Sequence, residues 1–176
     1  GNAYLKNMEH DACGVGLIAS TEGKKSRKIV EYAINALKAV FHRGAVDADG
    51  KTGDGAGIHL EIPSDFFSEK IEITGHSHDG SEICVGMIFL PRNNYEAQEN
   101  ARTLVESELT KSNFNIYGWR QVPVNPKVLG EKANLTRPEI TQVLFKHNNK
   151  NLNGKDLERK LYESRRKIEK EAIKNA

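Results

Sequence analysis

His10-Asp11-Ala12-Cys13-Gly14-Val15-Gly16-Leu17-Ile18-Ala19 places one of the two cysteines at the head of a glycine-spaced apolar run. The run over residues 13–20 reads as a buried strand. A thiol in that position, flanked by residues too small to crowd it, leaves room for a substrate to approach. Gly14 and Gly16 lower strand propensity, and close backbone approach to a ligand is one reason for them to be there. The plain alternative is a core residue, since a free cysteine in an apolar strand packs as a small hydrophobe in most proteins.

Working outward, residues 1–12 are polar and aperiodic, and read as a leader, a propeptide or an expression remnant. After the cysteine strand, Thr21 to Lys25 form a turn and Ser26 is an N-cap for a helix running to about His42. Ile29, Val30, Ala33, Ile34, Leu37, Val40 and Phe41 recur at three- and four-residue steps and make one wide apolar face. Gly44 is expected to end that helix as its C-cap.

The next stretch is His42-Arg43-Gly44-Ala45-Val46-Asp47-Ala48-Asp49-Gly50-Lys51-Thr52-Gly53-Asp54-Gly55-Ala56-Gly57-Ile58. Five glycines and three aspartates in so short a run exclude an ordinary helix or a fully paired strand and imply a tight, shaped loop. A phosphate-binding loop would need a glycine at position 45, where Ala45 stands, and a strand leading directly into it. A calcium loop would need more of its alternating acids than Asp47, Asp49 and Gly50 supply. A structural loop beside the cysteine strand is the favoured reading.

Residues 58–62 alternate as a second strand, expected to pair antiparallel with the cysteine strand, and Pro63 to Phe67 open a short helical turn. Residues 74–81, with His76 and His78, read as an exposed loop; a lone His-x-His pair on such a loop is usually solvated surface, and no metal site is assigned. Residues 83–90 form a third strand in which Cys84 packs into the core. Residues 95–111 form a helix with Ala97, Ala101, Leu104, Val105 and Leu109 inward. An edge-like strand over 114–122 carries Trp119 and ends at Pro123. Residues 124–137 read as loop, 139–146 as a strand, and 154–174 as a charged helix with Leu157, Leu161 and Ile168 in a narrow apolar stripe. Its basic residues are interleaved with glutamates and read as a solvated face.

Composition narrows the function classes. The 176 residues are 38% hydrophobic and 28% charged, with a net charge of +2, which is ordinary for a globular protein. Mixed charges and 7% aromatic residues give no platform for nucleic acid. There is no apolar run of about 18 residues to span a membrane, and no secretory pattern precedes Cys13. Two cysteines do not make a disulfide framework and fit a reducing, cytoplasmic setting.

Cys13-Gly14-Val15-Gly16, the amphipathic helix, His42-Arg43-Gly44-Ala45 and Asp49 to Gly57 together resemble the N-terminal class II glutamine amidotransferase domain of the glutamate synthase large subunits. These are N-terminal nucleophile hydrolases. The resemblance continues through Gly86 to Pro91, Gly118 to Val124, Pro126 to Gly130 and Leu161 to Glu169, and so runs in order along most of the chain. It implies an α+β fold: a partial αββα Ntn-hydrolase sandwich with largely antiparallel sheets, occupying residues 13–176 after a leader over 1–12. A partial sandwich leaves a sheet face or edge uncovered, so exposed apolar surface or self-association is expected.

The resemblance also implies a mechanism. Removal of the leader makes Cys13 N-terminal, and its α-amine, with an ordinary pKa of about 8, takes the thiol proton directly or through a water. The thiolate attacks the side-chain amide of glutamine, ammonia leaves, and the γ-glutamyl thioester is hydrolysed to glutamate. Ammonia then passes to synthase domains of the same polypeptide, where 2-oxoglutarate accepts it and the imine is reduced by FMN fed through an iron–sulfur cluster. A small electron-donating subunit is a further implied partner; the donor, NADPH, NADH or ferredoxin, is left open. Neither cofactor is assigned to residues of this chain.

Only Cys13 is carried over as catalytic. The family's carboxylate-binding arginine and oxyanion-hole Asn-Gly pair belong to later segments not found up to Ala176, and His42-Arg43-Gly44 is not that arginine motif. Gly14 and the loop glycines shape the site. With residues 1–12 in place the Cys13 nitrogen is an amide, and the chain is expected to be inactive by itself. Two other readings stay open: a non-catalytic binding or regulatory module, and a class II amidotransferase with a different ammonia acceptor.

Overall fold

The computed structural model describes residues 14–41 and 44–174, which divide into two compact units. One comprises residues up to 60 together with 125–135, the other residues 61–124 and 136–176.

The second unit is built on a three-stranded antiparallel sheet in the order β1-β3-β2, with β1 at Cys84–Leu90, β2 at Phe114–Gln121 and β3 at Glu139–His147. The central strand buries its middle five residues, 141–145, and has helices on both sides. Strand alternation divides the side chains between two faces. On one face, Cys84, Phe114, Val143 and Phe145 pack with Val105 and Leu109 of α3 (Tyr95–Lys111) and Leu157 of α5 (Gly154–Lys174). On the other, Ile83, Tyr117 and Leu144 pack with Phe67 and Ile71 of α2 (Ser64–Ile73).

Local sequence explains the helices. Asn94 caps α3, its side chain accepting from the Ala97 N–H at 3.0 Å. The narrow stripe of α5 buries Leu157 and sets Leu161 and Ile168 against the same cluster, while Ser164 turns its hydroxyl back to the Lys160 carbonyl at 2.8 Å. Both helices and all three of these strands lie within a residue of the expected bounds.

β2 carries a bulge. Ile116 pairs with Phe145 and Gly118 with Leu144, so Tyr117 is the extra residue. Gly118 has φ +151°, and a Cβ there would meet Thr74 Cγ2 at 2.9 Å. Only glycine satisfies both demands.

In the first unit, α1 (Arg27–Ala39) begins as expected, with the Ser26 hydroxyl accepting the Lys28 N–H at 3.2 Å. It stops earlier than expected: Val40, not Gly44, is the C-cap, and its N–H reaches the Ala36 carbonyl. Gly44 instead donates to the Phe41 carbonyl at 3.1 Å in the turn that follows. Residues 125–135, read as loop, contain a 3-10 turn (Pro126–Val128) and most of a short helix, α4 (Glu131–Thr136). Pro126 pre-sets the backbone for the turn and the Asn125 side chain caps it through the Lys127 N–H.

The α+β class and the antiparallel sheet are as expected, but two of the strands are not. Residues 14–20 and 58–62 have no strand pairing, and Val15 and Leu17 are 94% and 89% exposed. Gly14 and Gly16 weaken the first segment, and a strand gains its stability from a hydrogen-bonded neighbour that neither segment has among the described residues. The helical turn at Pro63 is longer than expected, a helix of 10 residues whose Phe67 and Ile71 are buried.

Candidate functional site

Cys13, the residue expected to be catalytic, lies outside the described residues, as do the leader before it and His42 and Arg43. Of the residues expected to shape the site, the structure describes Gly14, which is exposed, and the glycine-aspartate loop from Gly44 onward.

The loop is a short bridged turn. Val46 and Gly53 form an antiparallel bridge, the Asp47 N–H donates to the Thr52 carbonyl at 2.7 Å, and the Gly50 N–H closes onto the Asp47 carbonyl at 2.9 Å. Gly50 sits at φ +67°, where a side chain would be strained. A Cβ on Gly53 would meet the Ala45 carbonyl at 2.9 Å, so the two limbs approach as closely as glycine permits.

Each aspartate is engaged inside this unit. Asp49 accepts from the Lys51 N–H at 2.9 Å, the Thr52 N–H at 2.7 Å and the Thr52 hydroxyl at 2.5 Å. The Glu131 N–H adds a fourth bond. These bonds, the Thr52 hydroxyl first, pull the Asp49 carboxyl down to about 2. Asp54 accepts the Ala45 N–H at 3.2 Å, and Asp47 pairs with Lys132 at 2.8 Å. An open hollow of about 260 Å³ lies between the limbs, lined by Ala45, Val46, Asp47, Thr52, Gly53 and Asp54.

This geometry separates the three readings of the loop. A phosphate cradle works by aiming free backbone N–H groups at the anion, whereas Lys51 and Thr52 spend theirs on Asp49. A calcium loop turns carboxylate oxygens toward a common centre, whereas Asp49 turns both of its oxygens onto its own loop. The loop is structural, with its carboxylates acting as internal braces.

Sequence reasoning missed the platform to which the loop is fixed. Gly130 lies so close that a Cβ there would overlap Thr52 Oγ1 and Asp49 Oδ2. Beside it, Glu131 and Lys132 supply the N–H for Asp49 and the ammonium for Asp47. The available signal was the run Pro126-Lys127-Val128-Leu129-Gly130, whose proline and glycine punctuation marks a shaped backbone without naming its partner.

The remaining candidates have structural roles. Cys84 is 2% exposed within the core, and burial, followed by repulsion from Glu82 and Glu158, pushes its thiol up to about 12. His78 uses both ring nitrogens, one with the Ser68 hydroxyl at 3.0 Å and the other with the Ser81 carbonyl at 2.7 Å. His76 meets the Thr74 hydroxyl at 3.1 Å and packs edge-on to Tyr117. Their loop is tied to β3 by Asp79, which pairs with Lys146 at 2.7 Å and Lys150 at 2.9 Å and is held far below the usual carboxylate range by those lysines. Among the described residues no group of three or more His, Cys, Asp and Glu side chains is placed to hold a metal. With the described cysteine locked in the core, these residues do not fit an iron–sulfur cluster. Nor is any described helix long and apolar enough to cross a membrane.

Comparison with known proteins adds what the geometry leaves open. A family model described as "Glutamine amidotransferases class-II" matches residues 13–176. The glutamate synthase [NADPH] large chain of Azospirillum brasilense is 54% identical over 169 residues, covering 96% of this chain and 11% of its own length. The ferredoxin-dependent glutamate synthase of Pyropia yezoensis is 39% identical over 92% of this chain and 10% of its own length. The chloroplastic ferredoxin-dependent glutamate synthase 2 of Arabidopsis thaliana is 40% identical over 96% of this chain and 10% of its own length. The chain therefore spans about a tenth of the length of the curated relatives it matches.

Proposed function

The chain belongs to the class II glutamine amidotransferases, and from that we propose that it is the glutaminase part of a glutamate synthase, with Cys13 as nucleophile. The observation that carries the reading is the family match over residues 13–176, whose first residue is the cysteine itself. The other cysteine is unsuited to the role: a thiol buried in the core with a pKa pushed to about 12 offers no thiolate at neutral pH.

The chemistry follows from an N-terminal thiol. Removal of residues 1–12 frees the Cys13 α-amine, which in its neutral form takes the thiol proton. The thiolate adds to the γ-carbonyl carbon of glutamine, and the tetrahedral adduct expels ammonia, which leaves with that proton. Water then cleaves the γ-glutamyl thioester, releasing glutamate and restoring the thiol. Ammonia transfer to 2-oxoglutarate, and the flavin and iron–sulfur chemistry that reduces the product, belong to synthase domains elsewhere in the same polypeptide, with a small electron-donating subunit where the donor requires one.

The test uses the polypeptide purified from its natural source. Its mature N-terminus should be Cys13, and a glutamine analogue with an electrophilic γ-carbon should label that residue alone. Cys13→Ala should abolish glutamine hydrolysis while leaving synthesis from free ammonia intact. A mature chain that retains residues 1–12 and still hydrolyses glutamine would sink the amine-as-base mechanism.

A further inference from the structure

Asparagine side chains in this fold act as local clasps. The amide oxygen of Asn94 accepts from Ala97, that of Asn113 from Asn148, that of Asn125 from Lys127 and that of Asn149 from Asn151. Asn153 is different. It stands directly before α5, where an asparagine oxygen ordinarily caps the first helical turn. Among the described residues its one side-chain hydrogen bond runs backward instead, from Nδ2 to the Asn151 carbonyl at 3.3 Å. With Gly154 it forms the sole Asn-Gly step in the sequence.

The backbone at this step is lightly held. Gly154 has φ +52°, with nothing within 4 Å of where a Cβ would stand. Its N–H belongs to the first turn, where a helix supplies no acceptor of its own, and no other described residue supplies one. Residues 153–156 are all exposed. The Leu157 N–H reaches the Asn153 carbonyl at 3.4 Å, longer than the usual N–H···O range. Burial begins at Leu157, so the step can open without disturbing the core. We propose that Asn153-Gly154 is a site of spontaneous deamidation in the folded chain.

The reaction needs only water. The Gly154 nitrogen adds to the Asn153 side-chain carbonyl carbon, forming an N–Cγ bond. The Cγ–Nδ2 bond breaks, and Nδ2 leaves as ammonia with the proton that the Gly154 nitrogen gives up. Water then opens the resulting cyclic imide at either carbonyl. Attack at Cγ yields aspartate. Attack at the backbone carbonyl yields isoaspartate, in which the main chain runs through Cγ and is one methylene longer. Glycine favours the first step because no side chain shields its nitrogen and its backbone turns freely. Either product replaces a neutral amide by a carboxylate, which lowers the net charge of +2 by one and sets negative charge where the α5 dipole favours it. This site is independent of the glutaminase reading.

The full chain, held folded at neutral pH and body temperature, should accumulate an acidic form on isoelectric focusing. Peptide mass spectrometry should place the change from amide to acid, with isoaspartate among the products, at Asn153. An exposed first turn opens at little free-energy cost, so the rate should lie within about tenfold of that in a synthetic peptide of residues 150–157. Asn151, which is followed by Leu152, should stay intact. Asn153→Gln, whose longer side chain closes the ring far more slowly, should lose the acidic form and keep the far-ultraviolet spectrum. A folded-chain rate below that of the peptide by more than about tenfold overturns the proposal. So does an acidic form that accumulates as fast in Asn153→Gln, or conversion at Asn151 equal to that at Asn153.

Discussion

The Thr52 hydroxyl donates to one oxygen of the Asp49 carboxylate at 2.5 Å while the Thr52 backbone N–H donates to the other at 2.7 Å. One residue thus satisfies both oxygens of its neighbour, and the hydroxyl bond is the largest cause of the low Asp49 pKa. The ionised form is favoured because these donors stabilise negative charge and do nothing for the neutral acid.

Thr52→Val should therefore raise the Asp49 pKa from about 2 toward its ordinary 3.8, and Thr52→Ser should leave it low. Carboxyl-carbon NMR titration measures both. The sign follows from linkage: a depressed folded pKa stabilises above the unfolded value, and that contribution disappears as pH falls from about 3.8 to about 2. The Lys51 and Thr52 amide resonances should hold steady above that window and move within it. An Asp49 titration unchanged in Thr52→Val would refute the assignment.

Gly130→Ala should loosen the same loop from the other side. The new methyl overlaps Thr52 Oγ1 and Asp49 Oδ2 and lies 2.6 Å from the Thr52 backbone nitrogen, so backbone as well as side chain must shift. Overpacking of this kind costs about 1–3 kcal/mol. Faster amide exchange at Thr52, with no change at the residues of β3, is the expected signature.

Gly118→Ala tests the bulge. It faces a steric contact with Thr74 Cγ2 at 2.9 Å and a backbone at φ +151° that disfavours any side chain. A loss of about 1–3 kcal/mol is expected in denaturant unfolding. Thr74→Ser removes the offending methyl but keeps the hydroxyl bond to the Ile71 carbonyl at 2.6 Å. The double variant should recover part of the loss. Full recovery would mean that the backbone conformation contributes nothing.

Cys84 should resist thiol reagents in the native protein at pH 8, where a thiol with a pKa of about 12 is almost wholly protonated and its sulfur is buried. Reagent titration of Cys13→Ser should find no accessible thiol until denaturant is added. Prompt labelling of Cys84 in the folded protein would contradict the core assignment.

Some of this fold is legible because its cause is local. Asn94 and Ser26 cap helices through side-chain bonds to residues two or three ahead, and the stripe Leu157, Leu161, Ile168 repeats at helical spacing. β1 and β3 carry apolar runs, and β2, the less apolar of the outer two, reads as an edge strand and is one. The strand expected at residues 13–20 carries an equally apolar pattern at Val15, Leu17 and Ile18, yet it remains unpaired over its described part. Hydrophobic alternation qualifies a segment for a sheet but does not supply the neighbour that makes it a strand.

The sequence by itself determined α3 and α5, the start of α1 at its Ser26 cap, the core role of Cys84, and the cysteine motif with its glycine-aspartate loop. Each of these rests on residues close together in the chain. Only the tertiary structure decided the strand order β1-β3-β2, the bulge that requires Gly118 beside Thr74, and the braces that join Asp49 to Glu131 and Asp47 to Lys132. Those contacts link segments tens of residues apart, and which distant partners meet is set by how the whole apolar surface is buried, not by any pattern within either segment.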